Sequence, residues 1–535
     1  MTAELAVLGA RIRTLDPAQP LVSAVAVAGG SIVAVGSDSE VRELCGSSTE
    51  LIDGAGLHVT PGLVDSHQHP FHGAEETRGV NLGGLATLAE VQAALRAERD
   101  RVGGDAWVRG YSLEYAVFTG GRIASEAIDG AVRGAKAYLT FYDFHTVLAS
   151  TAALAAAGID GPRRFVDASE IVCMDGVPTG EIREASAFEP VYALIPEPSE
   201  AERLALYAAA LARMNACGLT GVHAMDGTPA TFSTCRALEQ RGDLTVRLVV
   251  PLTVNPGTPA AEQDRWLALR DERGLLWRAG AAKFFIDGVV EPGTAWLYEP
   301  DASGLGRLPL WPDPERYAAA VARFARAGFQ CITHAVGDRA VRAALDAYRA
   351  AGRHGSAPHR IEHLETLQDH DLGRLAAEGV TASMQSSHQQ WMNAEATDPW
   401  STALGPERTA RAFRTREILR SGAGLALGSD WPVASLDPRD GLAWARLRRT
   451  PGHPERAAMQ PQQRLSGLEA LAGYTTGASA AIGEQAVSGR IAVGYRADLT
   501  GFAGDPVETD PDELAALPVR LTVVGGRVVH VVASG

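Results

Sequence analysis

Cysteine and long apolar runs are scarce in this sequence, and both absences exclude classes of protein. Only 5 cysteines occur among 535 residues, and none are arranged as C-x-x-C, so neither a disulfide framework nor a thiolate zinc site is indicated. Apolar runs stay well short of the ~20 residues that span a bilayer. A signal peptide is not visible at the start of the chain, and we expect a reducing cytoplasm.

Positive net charge is also missing. The formal net charge is −15, which argues against nucleic acid and anionic membranes as partners. Hydrophobic residues make up 46% and charged residues 21% of the chain, as is usual for a globular protein. We therefore expect the partner to be a small-molecule substrate.

The two ends of the chain differ in pattern from its middle. Both ends contain short apolar runs that flank a Gly-Gly turn, Gly29-Gly30 in one and Gly525-Gly526 in the other, which is typical of β-hairpins. From about residue 87, predicted helices alternate with apolar strands, and this indicates a parallel sheet. A closed (β/α)8 barrel is the leading interpretation, and a doubly wound open sheet is the alternative.

These patterns divide the chain into three segments. We predict a barrel over residues 60–481, and a small β-sandwich in which residues 1–59 pair with residues 482–535. Capping residues predict several of the helix starts. The predicted helices follow Thr87, Ser199 and Asp313 or lie near 338–351, 369–378 and 406–420, and residues 438–466 are predicted to be a loop or an irregular helix.

The stretch PGLVDSHQHP, residues 61–70, ends an apolar strand with a pair of histidines. His67 and His69 are two positions apart, so in a strand they point to the same face, and Pro70 then ends the strand. Two imidazoles at a strand end can hold a divalent metal, and nitrogen ligands favour zinc. Taken alone, such a pair is more often an exposed strand end.

Four more polar residues end later predicted strands: Lys283 in AAKFFID, His334 in QCITHA, His363 in HRIEH and Asp430 in ALGSD. The carboxyl ends of barrel strands face one mouth, so distant residues can converge there. Each has an ordinary alternative; Asp430 could cap a helix, and Lys283 could pair with Asp287. Because all of these residues would have to fall at strand ends by accident, the ordinary alternatives weaken together. We therefore predict a centre for one or two cations.

These stretches resemble the amidohydrolase superfamily and, within it, the amidohydrolase 3 branch of YtcJ-like hydrolases. The resemblance covers nearly the whole chain. It rests on PGLVDSHQHP, AAKFFIDGVVEPGTAWL, QCITHAVGDRAV, HRIEHLETL, ASMQSSH, LALGSDWPV and SGRIAVGYRADL. It implies a distorted (β/α)8 TIM barrel, a composite β-sandwich from both termini, and one or two divalent metal ions, usually Zn²⁺.

The resemblance also implies a role for each candidate ligand. The implied metal ligands are His67, His69, Lys283, His334, His363 and Asp430. In many relatives the lysine at the position of Lys283 is carboxylated and bridges two metals. Carboxylation requires a neutral amine, and burial in an apolar setting depresses the pKa of lysine. N6-carboxylysine at Lys283 is therefore the hypothesis, and a bare lysine with one metal ion is the alternative.

The expected activity is hydrolysis of a non-peptide C–N bond in an N-substituted amide or formamide. Zinc lowers the pKa of bound water towards ~7, and Asp430 is the expected general acid/base for the resulting hydroxide. The alternatives are a deaminase or an ester or lactone hydrolase on the same barrel, and a non-catalytic scaffold, against which the full ligand set argues. A homodimer is expected by analogy alone.

Further residues are predicted to contact the substrate, and each has a plain structural alternative. These residues are His145, Glu184, His223, Trp296, His388 and Trp431. A core histidine is the alternative for His223, a helix-surface carboxylate for Glu184, and packing for the tryptophans. Phe144 and Ser386 stand where relatives often have glycine and proline, and both differences bear on the shape of the pocket.

Overall fold

Eight parallel strands form the centre of the computed structural model, which describes residues 2–118 and 121–532. Each strand pairs with the next one along the chain, so the order in the sheet is the order in sequence. The strands are β1 Leu63–Gln68, β2 Leu219–Ala224, β3 Arg247–Thr253, β4 Trp277–Phe285, β5 Gln330–Ala335, β6 Arg360–His363, β7 Thr381–Met384 and β8 Leu425–Leu427. This order confirms the distorted (β/α)8 barrel and excludes the doubly wound sheet, whose strand order reverses.

The segment after β8 returns to β1 and nearly closes the barrel. The backbone N–H of Asp430 donates to the carbonyl oxygen of His67 at 2.7 Å, and Ser429 donates through N and Oγ to the carboxylate of Asp65. Gly428 permits this approach, because a Cβ there would lie 2.6 Å from the backbone nitrogen of His67. The barrel therefore closes at residues that were predicted to bind metal.

Helices pack outside the barrel, and most of the predicted starts are confirmed. Ser199 caps its helix by accepting from the backbone N–H of Glu202. The predicted 406–420 helix is wrong, since it is two short helices separated by Phe413 at φ +47°. The helices along the barrel are Glu200–Ala216, Pro229–Arg241, Ala260–Leu267, Pro314–Arg326, Asp338–Ala351, Asp369–Ala377, Pro399–Leu404, Pro406–Thr409 and Thr415–Arg420. Among the described residues, none of the helices has the length and apolarity needed to cross a bilayer.

The segment after β8 is more regular than the sequence predicted. Residues Pro438–Leu447 form an α-helix that Asp437 caps by accepting from the N–H of Arg439. Arg448 then adopts φ +53° and ends it, and the chain continues irregularly. Two further helices follow, Gly467–Gly473 and Thr476–Ala481.

A second sheet, which the sequence pattern did not predict, is inserted between β1 and β2. Its six strands are mixed in direction and have their own apolar cores. The strands are Val80–Asn81, Val108–Leu113, Ala137–Phe141, Thr146–Ala149, Glu170–Met174 and Val177–Arg183, and the helices that accompany them are Pro70–Glu76, Leu88–Val102, Glu126–Asp129, Thr151–Ala156 and Ala185–Tyr192. Its buried strands and short helices produce the same apolar pattern as a barrel repeat, which is why the whole of 60–481 was predicted to be barrel.

Two further sheets are built from the ends of the chain. One contains Leu5–Leu8, Ala24–Ala28, Ser31–Gly36 and Glu50–Asp53, with helix Asp38–Arg42 beside it; the other contains Arg11–Arg13, Leu21–Val22, His58–Pro61, Leu499–Phe502, Val519–Val524 and Arg527–Val531. Strand Leu499–Phe502 pairs with His58–Pro61, and the two sheets share one apolar core. Both Gly-Gly turns join antiparallel strands. The boundaries of a separate sandwich domain at residues 59 and 482 stay a prediction.

We expect Leu499→Ala to destabilise the protein, because Leu499 is fully buried where the two chain ends meet. Truncating a buried leucine costs ~2–5 kcal/mol of unfolding free energy. The matched control is Leu51→Ala in an edge strand, where the side chain is 54% exposed and the expected change is within ~0.5 kcal/mol. Urea unfolding of both variants measures this, and equal midpoints for the two would contradict the shared core.

Candidate metal centre

The barrel mouth brings the predicted ligands together from five strands. His67 lies in β1, Lys283 in β4, His334 in β5 and His363 at the end of β6. His69 follows β1, and Asp430 follows β8. The Nε2 atoms of His67 and His69 each lie 3.2 Å from Oδ1 of Asp430. The ring of His363 lies 4.8 Å from that of His67 and 4.3 Å from that of His334, centroid to centroid.

This group of side chains fits a divalent cation. Within the part of the chain that the structure describes, Lys283 Nζ, His363 Nε2 and Asp430 Oδ1 are buried without a hydrogen-bond partner. Such atoms are costly unless something satisfies them. His67, His363 and Asp430 also offer ligand atoms that all lie within 4.8 Å of one another. Imidazole nitrogens and a carboxylate at that separation are a donor set that zinc takes.

Electrostatics hold the ligands in forms that bind a cation. Burial lowers the pKa of His334 and of His363 well below the usual value, so both rings are neutral at pH 7. Burial opposes ionisation of Asp430, but His67, His69 and His363 outweigh it and hold the pKa of that carboxyl well below its usual range.

Lys283 is fully buried, with its amine 4.7 Å from the ring centroid of Phe285. Burial lowers the pKa of Lys283 to about 8, although Glu362 and Asp430 oppose the shift. The alternative pairing with Asp287 is not observed, because that carboxylate accepts hydrogen bonds from the backbone of Trp296, Val336 and Gly337. The amine is therefore partly neutral near physiological pH, as carboxylation requires.

Two of the imidazoles are held through the nitrogen that faces away from the other ligands. Glu362 accepts from Nδ1 of His67, and Arg360 donates to both oxygens of Glu362 at 2.6 and 3.0 Å. Nε2 of His334 donates to the carbonyl oxygen of Gly288 at 3.0 Å. Such outer contacts fix the tautomer and orientation of a metal ligand. The Arg360–Glu362 pair was missed, although its spacing in HRIEH places both on one strand face.

Backbone strain is concentrated around this centre. His363, Asp430, Glu184 and Phe144 have φ values of +74°, +60°, +64° and +59°. Each non-glycine residue in the left-handed region costs about 1–3 kcal/mol, and such residues cluster at functional sites. Phe144 stands where relatives often have glycine, and it adopts the conformation that favours glycine.

The centre opens into a cavity of about 710 Å³ that three of the predicted substrate residues line: His145, Glu184 and His388. His145 and Glu184 belong to the inserted sheet and its connections, and Nδ1 of His145 lies 2.9 Å from Oε2 of Glu184. Burial would lower the pKa of His145, but Glu184 outweighs it and raises the pKa to about 9. The inserted sheet therefore places a protonated imidazole opposite the metal ligands.

The other three predicted substrate residues, His223, Trp296 and Trp431, lie outside this cavity. His223 is buried deep in the barrel, where its Nδ1 accepts from Arg360 at 2.8 Å. Trp296 packs in the hydrophobic core, and Trp431 packs against Gly73. Contact of these three residues with a substrate stays a prediction.

Several cavity residues were not singled out as candidates from the sequence. Glu365 forms, with His363 and the predicted residue His388, a second group whose ligand atoms lie within 4.8 Å of one another. Tyr142 and Glu291 also line the cavity. Glu365 follows two positions after His363 in HLETL, which was an available signal, but the others are brought in by loops.

The comparisons with known proteins agree with this geometry. The model of the amidohydrolase family matches residues 50–530. This chain belongs to the amidohydrolase family. This chain is 28% identical over 525 residues to YtcJ of Bacillus subtilis (strain 168), and the match covers 95% of this chain and 96% of that protein. It is also 26% identical over 548 residues to N-substituted formamide deformylase of Arthrobacter pascens, and the match covers 98% of this chain and 97% of that protein.

A solved structure has the same fold. It is an uncharacterised metal-dependent hydrolase from Pyrococcus horikoshii OT3, with a TM-score of 0.74 and 22% identity over 95% of this chain and 99% of that chain. The prediction of a YtcJ-like member of the amidohydrolase family is confirmed.

We expect Glu184→Gln to remove a pH-dependent part of the stability. The pKa of His145 is about 9 in the fold, whereas the ordinary pKa of a histidine is 6.5. Protonated His145 therefore stabilises the fold fully below pH ~6.5, and this contribution is lost as the pH rises through ~9. The difference in melting temperature between wild type and Glu184→Gln should shrink over that interval.

The control is Glu126→Gln on an exposed helix, whose difference from wild type should stay constant with pH. A Glu184→Gln difference that also stays constant would show that Glu184 does not hold the proton on His145.

Proposed function

We propose that this amidohydrolase cleaves the C–N bond of an N-substituted amide or formamide, using one or two zinc ions. The observation that carries the proposal is the convergence of four imidazoles, a lysine and an aspartate at one barrel mouth, with buried atoms that lack partners among the described residues. Similarity to N-substituted formamide deformylase along nearly the whole chain supports C–N cleavage.

The residues that would hold the metal are His67, His69, Lys283, His334, His363 and Asp430. Lys283 would act as N6-carboxylysine, formed when the neutral amine adds carbon dioxide and releases a proton. The partly neutral amine, with its pKa of about 8, supports that reaction. Bound zinc supplies Lewis acidity, which polarises a carbonyl group and makes water a nucleophile near neutral pH.

Asp430 would act as the general base and then the general acid. It is ionised, and it lies at the mouth with His67 and His69 on one side and Nε2 of His388 3.7 Å away on the other. From there its carboxylate can accept the proton of the attacking water and return it to the leaving nitrogen.

His145 would orient the substrate. Its ring lies 5.6 Å from that of His334, centroid to centroid, and it carries a proton at neutral pH. From this position it can donate a hydrogen bond to the carbonyl oxygen of the bond that is cut, while Glu184 holds the ring in place.

The proposal includes the setting of the enzyme. The substrate is a small molecule, because the net charge of −15 repels nucleic acid and anionic membranes, and the protein acts as a homodimer in the cytoplasm. Turnover of a panel of amides, formamides, esters and lactones, with amine, acid and ammonia release measured separately, tests the reaction class. Release of ammonia alone would favour a deaminase.

We expect Asp430→Asn to keep the fold and much of the metal but to lose turnover by ~10²–10⁴-fold, since an amide cannot act as a general base. Steady-state kinetics and metal analysis of the same preparation measure both effects. Asp105→Asn, at an exposed aspartate, is the control and should match wild type. Near-normal turnover by Asp430→Asn would remove the assigned role.

We expect Lys283→Met to hold at most one metal ion per chain, because the bridging carbamate cannot form on an apolar side chain. Lysine occurs at only two positions, 136 and 283, so Lys136→Met is a natural control. Metal analysis gives the ratio, and native mass spectrometry of the intact wild-type protein should show the mass of one added carbon dioxide that Lys283→Met lacks. An unmodified amine in protein that binds two metals would refute the carbamate.

A further inference from the structure

We propose that the cavity contains a subsite for a cationic group of the substrate, formed by the carboxylates of Glu291 and Glu365 and the rings of Tyr142 and Trp391. This inference rests on the proposed function of the same cavity. It specifies the substrate class as an amide whose substituent carries an ammonium group.

Three separate chain segments build one wall of this subsite. The hydroxyl of Tyr142, beside the inserted sheet, donates to Oε1 of Glu291, in the loop after β4, at 2.6 Å. The rings of Tyr142 and Trp391 are stacked, 3.9 Å apart between centroids and 7° from parallel. Trp391 ends the short 3-10 helix that follows β7. These contacts hold a carboxyl group at the hydroxyl edge of a stacked aromatic pair.

His388 and Glu365 connect the subsite to the candidate metal centre. Trp391 contacts the ring of His388 edge to face, with centroids 5.8 Å apart. Nδ1 of His388 lies 3.6 Å from Oε1 of Glu365, and its Nε2 lies 3.7 Å from Oδ2 of Asp430. A substrate whose bond is cut beside Asp430 can therefore extend its substituent over Trp391 towards Glu291.

The charge of the cavity favours a cation. Over residues 2–118 and 121–532, neither lysine nor arginine lines it, whereas seven carboxylates do. These are Asp143, Asp167, Glu184, Asp226, Glu291, Glu365 and Asp430. Asp430 faces the metal ligands, and Glu184 pairs with His145. Asp226 and Asp167 accept hydrogen bonds from backbone N–H groups.

Glu291 has no ion-pair partner in the described part of the chain, and it lies beside the aromatic pair of Tyr142 and Trp391. Its carboxyl group accepts a hydrogen bond from the uncharged hydroxyl of Tyr142. Burial raises the pKa of Glu291 to about 8, and the carboxylate of Glu365 adds to the shift. A cation beside Glu291 would relieve both effects, since an opposite charge favours the ionised carboxylate.

Unpartnered buried atoms also occur in residues that line this cavity. Nε2 of His388 and Oε1 of Glu184 line the cavity, and both are buried without a hydrogen-bond partner in the described residues. The His388 side chain is only 8% exposed. Because aromatic faces offer no ligand atoms to a metal ion but attract an organic cation, the wall of Tyr142 and Trp391 favours an ammonium group.

The test compares two molecules of the same shape, choline and 3,3-dimethylbutan-1-ol, which differ in the charge of one atom and carry no bond that this enzyme could hydrolyse. Isothermal titration calorimetry on the full-length, metal-loaded protein gives both dissociation constants. We expect choline to bind about tenfold more tightly, as cation–π contacts and a carboxylate together imply.

Glu291→Gln should reduce this preference to about twofold or less. Glu299→Gln, at an exposed residue outside the cavity, makes the same chemical substitution elsewhere and should keep the wild-type preference. Trp391→Leu removes a ring without changing charge and should also lose the preference, so the proposal stays testable if Glu291→Gln does not fold.

Equal affinity of wild type for the two probes would overturn the subsite, as would a preference that survives in folded Glu291→Gln. Neither probe is hydrolysed, so the outcome is independent of the proposed reaction. If the protein prefers choline but cleaves none of the amides, the subsite stands and the proposed function is wrong. If it cleaves amides but shows no preference for choline, the proposed function stands and the subsite is wrong.

Discussion

The constraint on which this structure depends is the burial of polar atoms that lack a partner within the described protein. Lys283 Nζ, His363 Nε2 and Asp430 Oδ1 meet at the barrel mouth in this state. A protein interior tolerates such a group only when something else satisfies it, and a divalent cation satisfies imidazole, amine-derived and carboxylate donors together. The geometry of the barrel, the strain around its mouth and the pKa values of the ligands are all consistent with this requirement.

The contacts that close the barrel also position the candidate ligands His67 and Asp430. The hydrogen bond from Asp430 to His67 joins the last strand segment to the first, and the carboxylate of Asp65 holds Ser429 and His67 at once. Gly428 is required because any Cβ would meet His67. The left-handed conformations of His363 and Asp430 show that the surrounding structure stabilises backbone geometry that local preference opposes.

The inserted sheet gives the metal centre a second, chemically different wall. It supplies His145, Glu184 and the ring of Tyr142, while the barrel loops supply Glu291 and Trp391. Gly288 allows this approach, because a Cβ there would lie 2.3 Å from Oε1 of Glu184. The barrel therefore provides the candidate metal ligands, and the insertion together with the loops shapes the cavity beside them.

The sequence by itself determined the barrel and its six candidate ligands, because strand periodicity and the order of strand ends are local properties that a parallel barrel converts into convergence. Only the tertiary structure decided the inserted sheet, the Arg360–Glu362 pair behind His67, and which outer residues reach the cavity. His145 and His388 reach it, whereas His223, Trp296 and Trp431 find partners elsewhere. The reason is physical: such contacts join segments far apart in sequence, and their distances depend on how the loops pack, which no local pattern encodes.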